Sequence, residues 1–165
     1  LCAIYRIQQW KKILVLVTAF TIGHSVTLIL STLDIFTIAS NIIEFLIPVT
    51  IFLTAINNVI DSNLEANGIK MNKNYSMALF FGFIHGMGFS NYFKALLMES
   101  SDVAMPLLGF NIGIEIGQIL VVFIIVSIAY LFISKLGVKH RDWNLFISGA
   151  AAGVSLIFIF ENKIW

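Results

Sequence analysis

A bundle of transmembrane α-helices is the fold this sequence predicts, on three observations. Of 165 residues, 59% are hydrophobic and only 12% charged, with 15 Phe among them. A soluble domain carries about a quarter charged residues, so half the charge that keeps a surface in water is missing. Five apolar stretches approach or exceed the roughly 20 residues that a helix needs to cross a bilayer. The connections between them are short and hold most of the charge. The remaining composition excludes other classes. Ten Lys+Arg against nine Asp+Glu leave a net charge of +1, which is no footprint for nucleic acid and no polybasic tail for lipid. The one cysteine, Cys2, makes no internal disulfide, and without a CxxC there is neither a thiolate metal site nor a redox couple.

The chain reads as one transmembrane domain over residues 1–165. Residues 1–5 (LCAIY) are apolar but too short to span, and are expected to be the tail of an earlier helix. The start at Leu1 fits a trimmed N-terminus, and the intact protein would then have six spans, five of them complete here. The first of these runs from about Ile13 to Ser31, after Lys11 and Lys12, and the second from about Ile38 to Ile60. A polar loop with Asn-Gly turn chemistry, DSNLEANGIKMNKN, follows from Asp61 to Asn74 and is a linker. The third span covers about Tyr75 to Leu97. The fourth, about Ala104 to Ser134, exceeds what a straight crossing needs, so it tilts, projects beyond the bilayer, or begins with a bend around Pro106 to Gly113. The fifth runs from about Trp143 to Phe160.

Charge sets the orientation. Arg6, Lys11, Lys12, Lys70, Lys73, Lys135, Lys139 and Arg141 fall on one side of this arrangement, leaving Lys94 and Lys163 on the other. By the positive-inside rule the larger group is cytoplasmic. Asp34, Glu99, Asp102 and the C-terminus then face outward. Gly82 and Gly86, Gly109, Gly113 and Gly117, and Gly149 and Gly153 recur at four-residue spacing. That pattern predicts close helix contacts in the third, fourth and fifth spans.

Four ionisable residues lie well inside the predicted spans: His24, Glu44, His85 and Glu115. A charge there costs several kcal/mol even on lenient scales, roughly 3 for a carboxylate at the centre of a span, so such residues face the bundle interior and mark a route. At about 1.5 Å per residue, His24 lies roughly 10 Å, His85 roughly 18 Å, Glu44 roughly 9 Å and Glu115 roughly 16 Å below the outer ends. Similar depths allow them to converge. Polar neighbours share their faces: Thr21, Thr27 and Ser31 with His24, and Asn111 and Gln118 with Glu115. Ser25 and Ser90 add hydroxyls nearby. A purely structural network, with a histidine locked to Glu115, is the competing explanation.

Imidazole nitrogen with carboxylate, amide and hydroxyl oxygen suits a divalent transition metal such as Ni²⁺, Co²⁺, Zn²⁺, Mn²⁺ or Fe²⁺. The donor set does not separate nickel from zinc. An enzyme is the main alternative to a transporter. Serine hydrolysis through Ser25 or Ser90 lacks a G-x-S-x-G elbow. A metal-dependent intramembrane hydrolase would use the same histidines and glutamates to activate water, but no HExxH is present. A membrane chaperone that binds metal without moving it is the third reading. No G-x-x-x-x-G-K-[ST] loop occurs in the sequence, so transport would draw on a gradient or on another subunit.

Three segments, AFTIGHSVTLILS (Ala19 to Ser31), FGFIHGMGFS (Phe81 to Ser90) and FNIGIEIGQ (Phe110 to Gln118), occur in an order and spacing that resemble the HupE/UreJ family of bacterial membrane proteins. The resemblance implies six spans in the bacterial inner membrane and uptake of nickel or cobalt, with hydrogenase or urease maturation proteins as partners. It implies that His24, His85 and Glu115 are metal-pathway residues, supported by Asn111 and Gln118, with Glu44 matching an acidic residue of the second span. One departure stands out: the Asp-His pair of the family's first helix would precede Leu1. Together these readings predict a permease that binds a divalent metal, Ni²⁺ first, inside the membrane. Histidines with an ordinary pKa near 6.5 would offer a means of coupling release to pH.

Overall fold

The computed structural model describes residues 5, 9–61, 71–97 and 103–164, apart from the side chains of Asp61 and Met71. The described residues are helical, with no strand among them. The five helices are α1 (Trp10–Thr32), α2 (Ser40–Asp61), α3 (Met71–Leu97), α4 (Ala104–Tyr130) and α5 (His140–Glu161). Leu1 to Ile4, Arg6, Lys70, Glu99 and Asp102, which carry part of the predicted topology, lie outside the described residues.

Four helices are long and apolar enough to cross a membrane: α1, α2, α4 with its extension, and α5. The fifth predicted span, α3, has the length, with 27 residues, but not the apolar composition. Its middle holds Gly82, His85, Gly86, Gly88, Ser90 and Asn91 where the other helices carry aliphatic side chains. Those residues are the ones that let α3 lie deep against its neighbours.

α1 and α3 run parallel and make the tightest contact in the bundle. Along it, Gly23 sits against the backbone of Leu79 and Phe83, Gly82 against Phe20 and His24, and Gly86 against His24 and Thr27. At one end Tyr5 Oη accepts a hydrogen bond from Asn74 Nδ2 at 2.9 Å. Farther along, Ser31 Oγ donates to Ser90 Oγ at 2.8 Å. α1 buries Ile13, Leu16, Val17 and Leu28 on the same side, the three- and four-residue steps of one helical face.

α2 runs antiparallel to α3. Ile43 and Ile47 pack beside Gly88, Asn91 Nδ2 donates to Ser40 Oγ at 2.5 Å, and at the other end Lys73 Nζ donates to Asn57 Oδ1. α5 closes on α2, where Asn144 Nδ2 donates to the carbonyl of Asn58 at 3.0 Å. The ends of α2 and α4 and the starts of α1, α3 and α5 thus share one end of the bundle. Among the described residues that end carries Lys11, Lys12, Lys73, Lys135, Lys139 and Arg141, while Lys94 and Lys163 lie at the other. Pro48, inside α2, has no N–H to donate, which leaves the carbonyl of Glu44 without its helical partner.

α4 is one continuous α-helix from Ala104 to Tyr130, with Pro106 in its first turn, where a missing N–H does no harm. The helical hydrogen bonding is unbroken from Pro106 to Gly113. The helix instead finishes in a π-helical turn, Leu131–Lys135. It ends at Gly137, whose φ is +69°, with Val138 N–H donating to the Phe132 carbonyl at 3.1 Å. This closure over seven residues, 132–138, needs a left-handed residue. Gly137→Ala should therefore lower stability by about 1 kcal/mol, read as a lower thermal midpoint in detergent, although nothing lies within 4 Å of the added methyl.

The glycine expectation holds for α3 and fails for α4 and α5. An added Cβ meets nothing within 4 Å at Gly109, Gly113, Gly117, Gly149 or Gly153. α4 touches α1 through its polar side chains instead and buries none of its residues. Gly109 and Gly113 each lie two positions, about 200° around the helix, from residues of that polar side.

Candidate functional site

The site is built on the α1–α3 contact. His24 is 1% exposed. Its ring lies 6.1 Å from that of Phe20, one turn earlier, and 5.5 Å from that of Phe89 on α3. His85 meets the same Phe20 edge-on at 5.3 Å. The two imidazoles thus share one phenyl ring as neighbour. Among the described residues neither ring nitrogen of His24 has a hydrogen-bond partner. Leaving such atoms buried and unpaired costs about 1–3 kcal/mol each, and a neutral imidazole keeps one nitrogen lone pair free. An imidazole in this state, with a second one at the same phenyl ring, suits a borderline-soft divalent ion.

A second polar group lies between α1 and α4. Asn111 Oδ1 accepts from Ser25 Oγ at 2.9 Å, Glu115 Oε1 from Thr18 Oγ1 at 3.4 Å, and Gln118 Oε1 from Thr21 Oγ1 at 3.4 Å. The predicted polar face of α4 therefore meets a polar face of α1. Two of the three bonds are long for hydroxyl donors. With no residue of α4 buried, this interface holds the helix lightly. Thr27 Oγ1 donates to the Gly23 carbonyl of its own helix at 3.1 Å. Ser90 belongs to the α1–α3 contact through Ser31.

The four predicted ligands do not gather at one point. His24 and His85 are neighbours, but Glu115 is bonded to Thr18, six residues and about 9 Å along α1 from His24. Glu44 is exposed near the start of α2, one residue and about 100° from the buried Ile43. Among the described residues no three His, Cys, Asp or Glu side chains are grouped to hold a metal ion.

Beside His85 lies a cavity of about 520 Å³ to which all five helices contribute. Its walls are mostly aliphatic, with Phe20, Leu16 and Val121 among them. The polar lining comprises His85, Gln118, Thr50, Thr54, Asn58 and Ser148. Sequence reasoning missed the last four, and it missed Thr18. The spacing of Thr50, Thr54 and Asn58, four residues apart, is a signal that was present in the chain.

Residues 1–162 match the family described as HupE / UreJ protein. No curated protein and no solved structure shows a significant match to the chain. The family match spans nearly the whole length and includes all three histidine- and glutamate-bearing segments, on a helical scaffold with four helices apolar enough to cross a bilayer. This chain, a multi-pass membrane protein, belongs to the HupE/UreJ family.

Proposed function

We propose that the protein is a permease for a divalent transition metal, Ni²⁺ foremost and Co²⁺ or Zn²⁺ next, in the bacterial inner membrane. The observation that carries this reading is His24, enclosed beside His85 with both ring nitrogens unpaired. A structural histidine would have found a partner. All five helices cross the bilayer, α3 being shielded from lipid by α1 and α2. The end bearing Lys73, Lys135, Lys139 and Arg141 is cytoplasmic, and the C-terminus lies outside. Exposed Glu44 attracts the cation at the outer face, where Asp34 is paired with Lys94 at 2.6 Å. His24 and His85 then replace part of its water shell, and Glu115 joins them when the lightly held α4 shifts. Asn111 and Gln118 support it, with Thr21 and Ser25 facing them. Binding stays weak enough for release inward. The metal serves hydrogenase or urease maturation, as the family reading suggests, and no bond-making chemistry is required of the protein.

The test is uptake by proteoliposomes with Ni²⁺, Co²⁺, Zn²⁺ and Mn²⁺ in competition. Wild type should take up Ni²⁺ saturably, and Glu115→Ala should lower the rate about tenfold or more, the scale of effect for groups that complete a metal site. Binding of every metal without flux would overturn the permease and leave a metal-holding accessory protein. Turnover of a lipid or peptide with no flux would favour the intramembrane hydrolase.

A further inference from the structure

The helices touch one another in the order α4, α1, α3, α2, α5, and α5 reaches α4 chiefly at the base, through the π-helical turn, where the Phe132 and Trp143 rings lie 5.3 Å apart. The circuit is weakest between α4 and α5 above that contact, and the cavity of about 520 Å³ lies inside it, open rather than enclosed. Gly117, Val121 and Val122 of α4 line this space together with Ile147 and Ala151 of α5. An added Cβ at Gly117 would meet nothing within 4 Å, and no residue of α4 is buried. The protein itself thus leaves α4 without apolar contacts on the side of the cavity.

The wall is chiefly aliphatic and aromatic, and no Lys, Arg, Asp or Glu side chain lines it. Its hydroxyls have given their protons to the protein: Thr50 Oγ1 to the Ile47 carbonyl at 2.7 Å, Thr54 Oγ1 to the Thr50 carbonyl at 2.8 Å and Ser148 Oγ to Asn144 Oδ1 at 3.2 Å. Each had a single proton to give. Gln118 Oε1 is taken by Thr21 Oγ1. A space with such walls does not attract water, since an apolar cavity of about 150 Å³ already stays dry. Left empty, it would deprive all five helices of dispersion contacts on one side. Within a bilayer the material that fits it is hydrocarbon.

Length and charge say which hydrocarbon. The cavity extends along α2 from Thr50 to Asn58, about 12 Å, and Ala151 on α5 lies ten residues, about 15 Å, from Arg141. One leaflet's share of the roughly 30 Å hydrocarbon core is also about 15 Å. At the foot of the opening, the connection between α4 and α5 carries the exposed Lys135, Lys139 and Arg141, with one acid, Asp142, beside them. Basic groups clustered where helices leave the bilayer attract anionic headgroups. We infer that the cleft between α4 and α5 is a lipid site: one acyl chain of an anionic phospholipid, from the leaflet at the basic end of the bundle, lies in the cavity, with its phosphate at Lys135, Lys139 and Arg141. The chain supplies the apolar contact that α4 lacks. This rests on the chain's crossing a membrane and is independent of whether the histidines move metal.

The test is photolabelling of the full chain in vesicles that contain phosphatidylglycerol with a diazirine midway along one acyl chain, against phosphatidylcholine bearing the same chain. Adducts are located by mass spectrometry. In the wild type they should fall on Val121, Val122, Ile147 or Ala151, with a yield from phosphatidylglycerol about fivefold or more above that from phosphatidylcholine, the worth of one basic residue beside an anionic headgroup. Gly117→Phe, which fills the cavity, should remove these adducts and leave those on Phe123 and Phe146, exposed residues outside it. Lys135→Gln/Lys139→Gln/Arg141→Gln should bring the phosphatidylglycerol yield down to that of phosphatidylcholine. Wild-type adducts confined to outward residues such as Phe123 and Phe146, or equal yields from the two lipids at the cavity residues, overturn the inference, and neither outcome depends on a variant that folds. No metal enters the measurement, so its failure leaves the permease standing, and absence of Ni²⁺ uptake leaves the lipid site standing.

Discussion

His24→Leu is expected to abolish saturable metal binding and uptake while leaving the metal-free bundle at least as stable as the wild type. The two halves of this expectation come from the same observation. A 1%-exposed imidazole with neither nitrogen paired gives the fold no hydrogen bond, and it keeps two polar atoms out of water at about 1–3 kcal/mol each. Leucine removes that penalty, fills a similar volume between Phe20 and Phe89, and takes away the ligand. Thermal unfolding in detergent with a chelator present should show an equal or higher midpoint. Ni²⁺ titration should show no saturable binding, and proteoliposome uptake should fall to the background of empty vesicles. A histidine that locks the bundle by pairing with Glu115 predicts the reverse, a midpoint lowered by several degrees, as loss of about 1 kcal/mol does in a domain of this size. Finding that lowered midpoint, with binding retained, would reject the role assigned to His24.

How much of this was legible in the sequence follows from what each signal depends on. Composition and the length of apolar runs are properties of single segments, and they placed all five helices within a few residues of their ends. The exception is instructive. The segment around His85 was read as a span like the others, although its glycines, Ser90 and Asn91 make it too polar for that on composition alone. It forms a helix of 27 residues because α1 covers those residues. The pairing of His24 with His85 was also within reach, since both lie between the outer third and the midplane of spans that run in the same direction. Glu115 was misplaced for a different reason. Depth along a span leaves free the azimuth and the axial shift between two helices, and α4 is set so that Glu115 meets Thr18 rather than the histidines. Glu44 shows the same gap. One residue from a buried isoleucine, it projects outward because 100° of rotation separates them, and no neighbour in the chain reports which side α5 will cover.

The glycines carry this lesson to its largest structural consequence. Gly82 and Gly86, Gly109 and Gly113, and Gly149 and Gly153 are the same pattern in the sequence, yet substitution should divide them sharply. At Gly82 an added Cβ falls onto the Phe20 carbonyl oxygen and lies 3.0 Å from the His24 nitrogen. At Gly86 it falls onto the His24 carbonyl oxygen and Thr27 Oγ1, with the His24 carbonyl carbon at 2.9 Å. Gly23 presents the mirror case against Leu79. Most of these obstacles are backbone atoms of a packed helix, with no flexible side chain whose far end can swing away. The methyl is therefore accommodated only by separating α1 from α3, and that loosens every dispersion contact along the seam. Gly82→Ala and Gly86→Ala should each cost about 1–3 kcal/mol, and Gly82→Leu/Gly86→Leu should leave no folded protein to purify. Gly149→Ala and Gly109→Ala, where the methyl meets open space, should stay within about 0.5 kcal/mol of the wild type. Thermal midpoints of the four single variants in one detergent decide the matter. Equal effects at all four would mean that α1 and α3 do not touch through their backbones. Because Gly86 rests on His24 itself, that outcome would also undo the enclosure on which the histidine site depends.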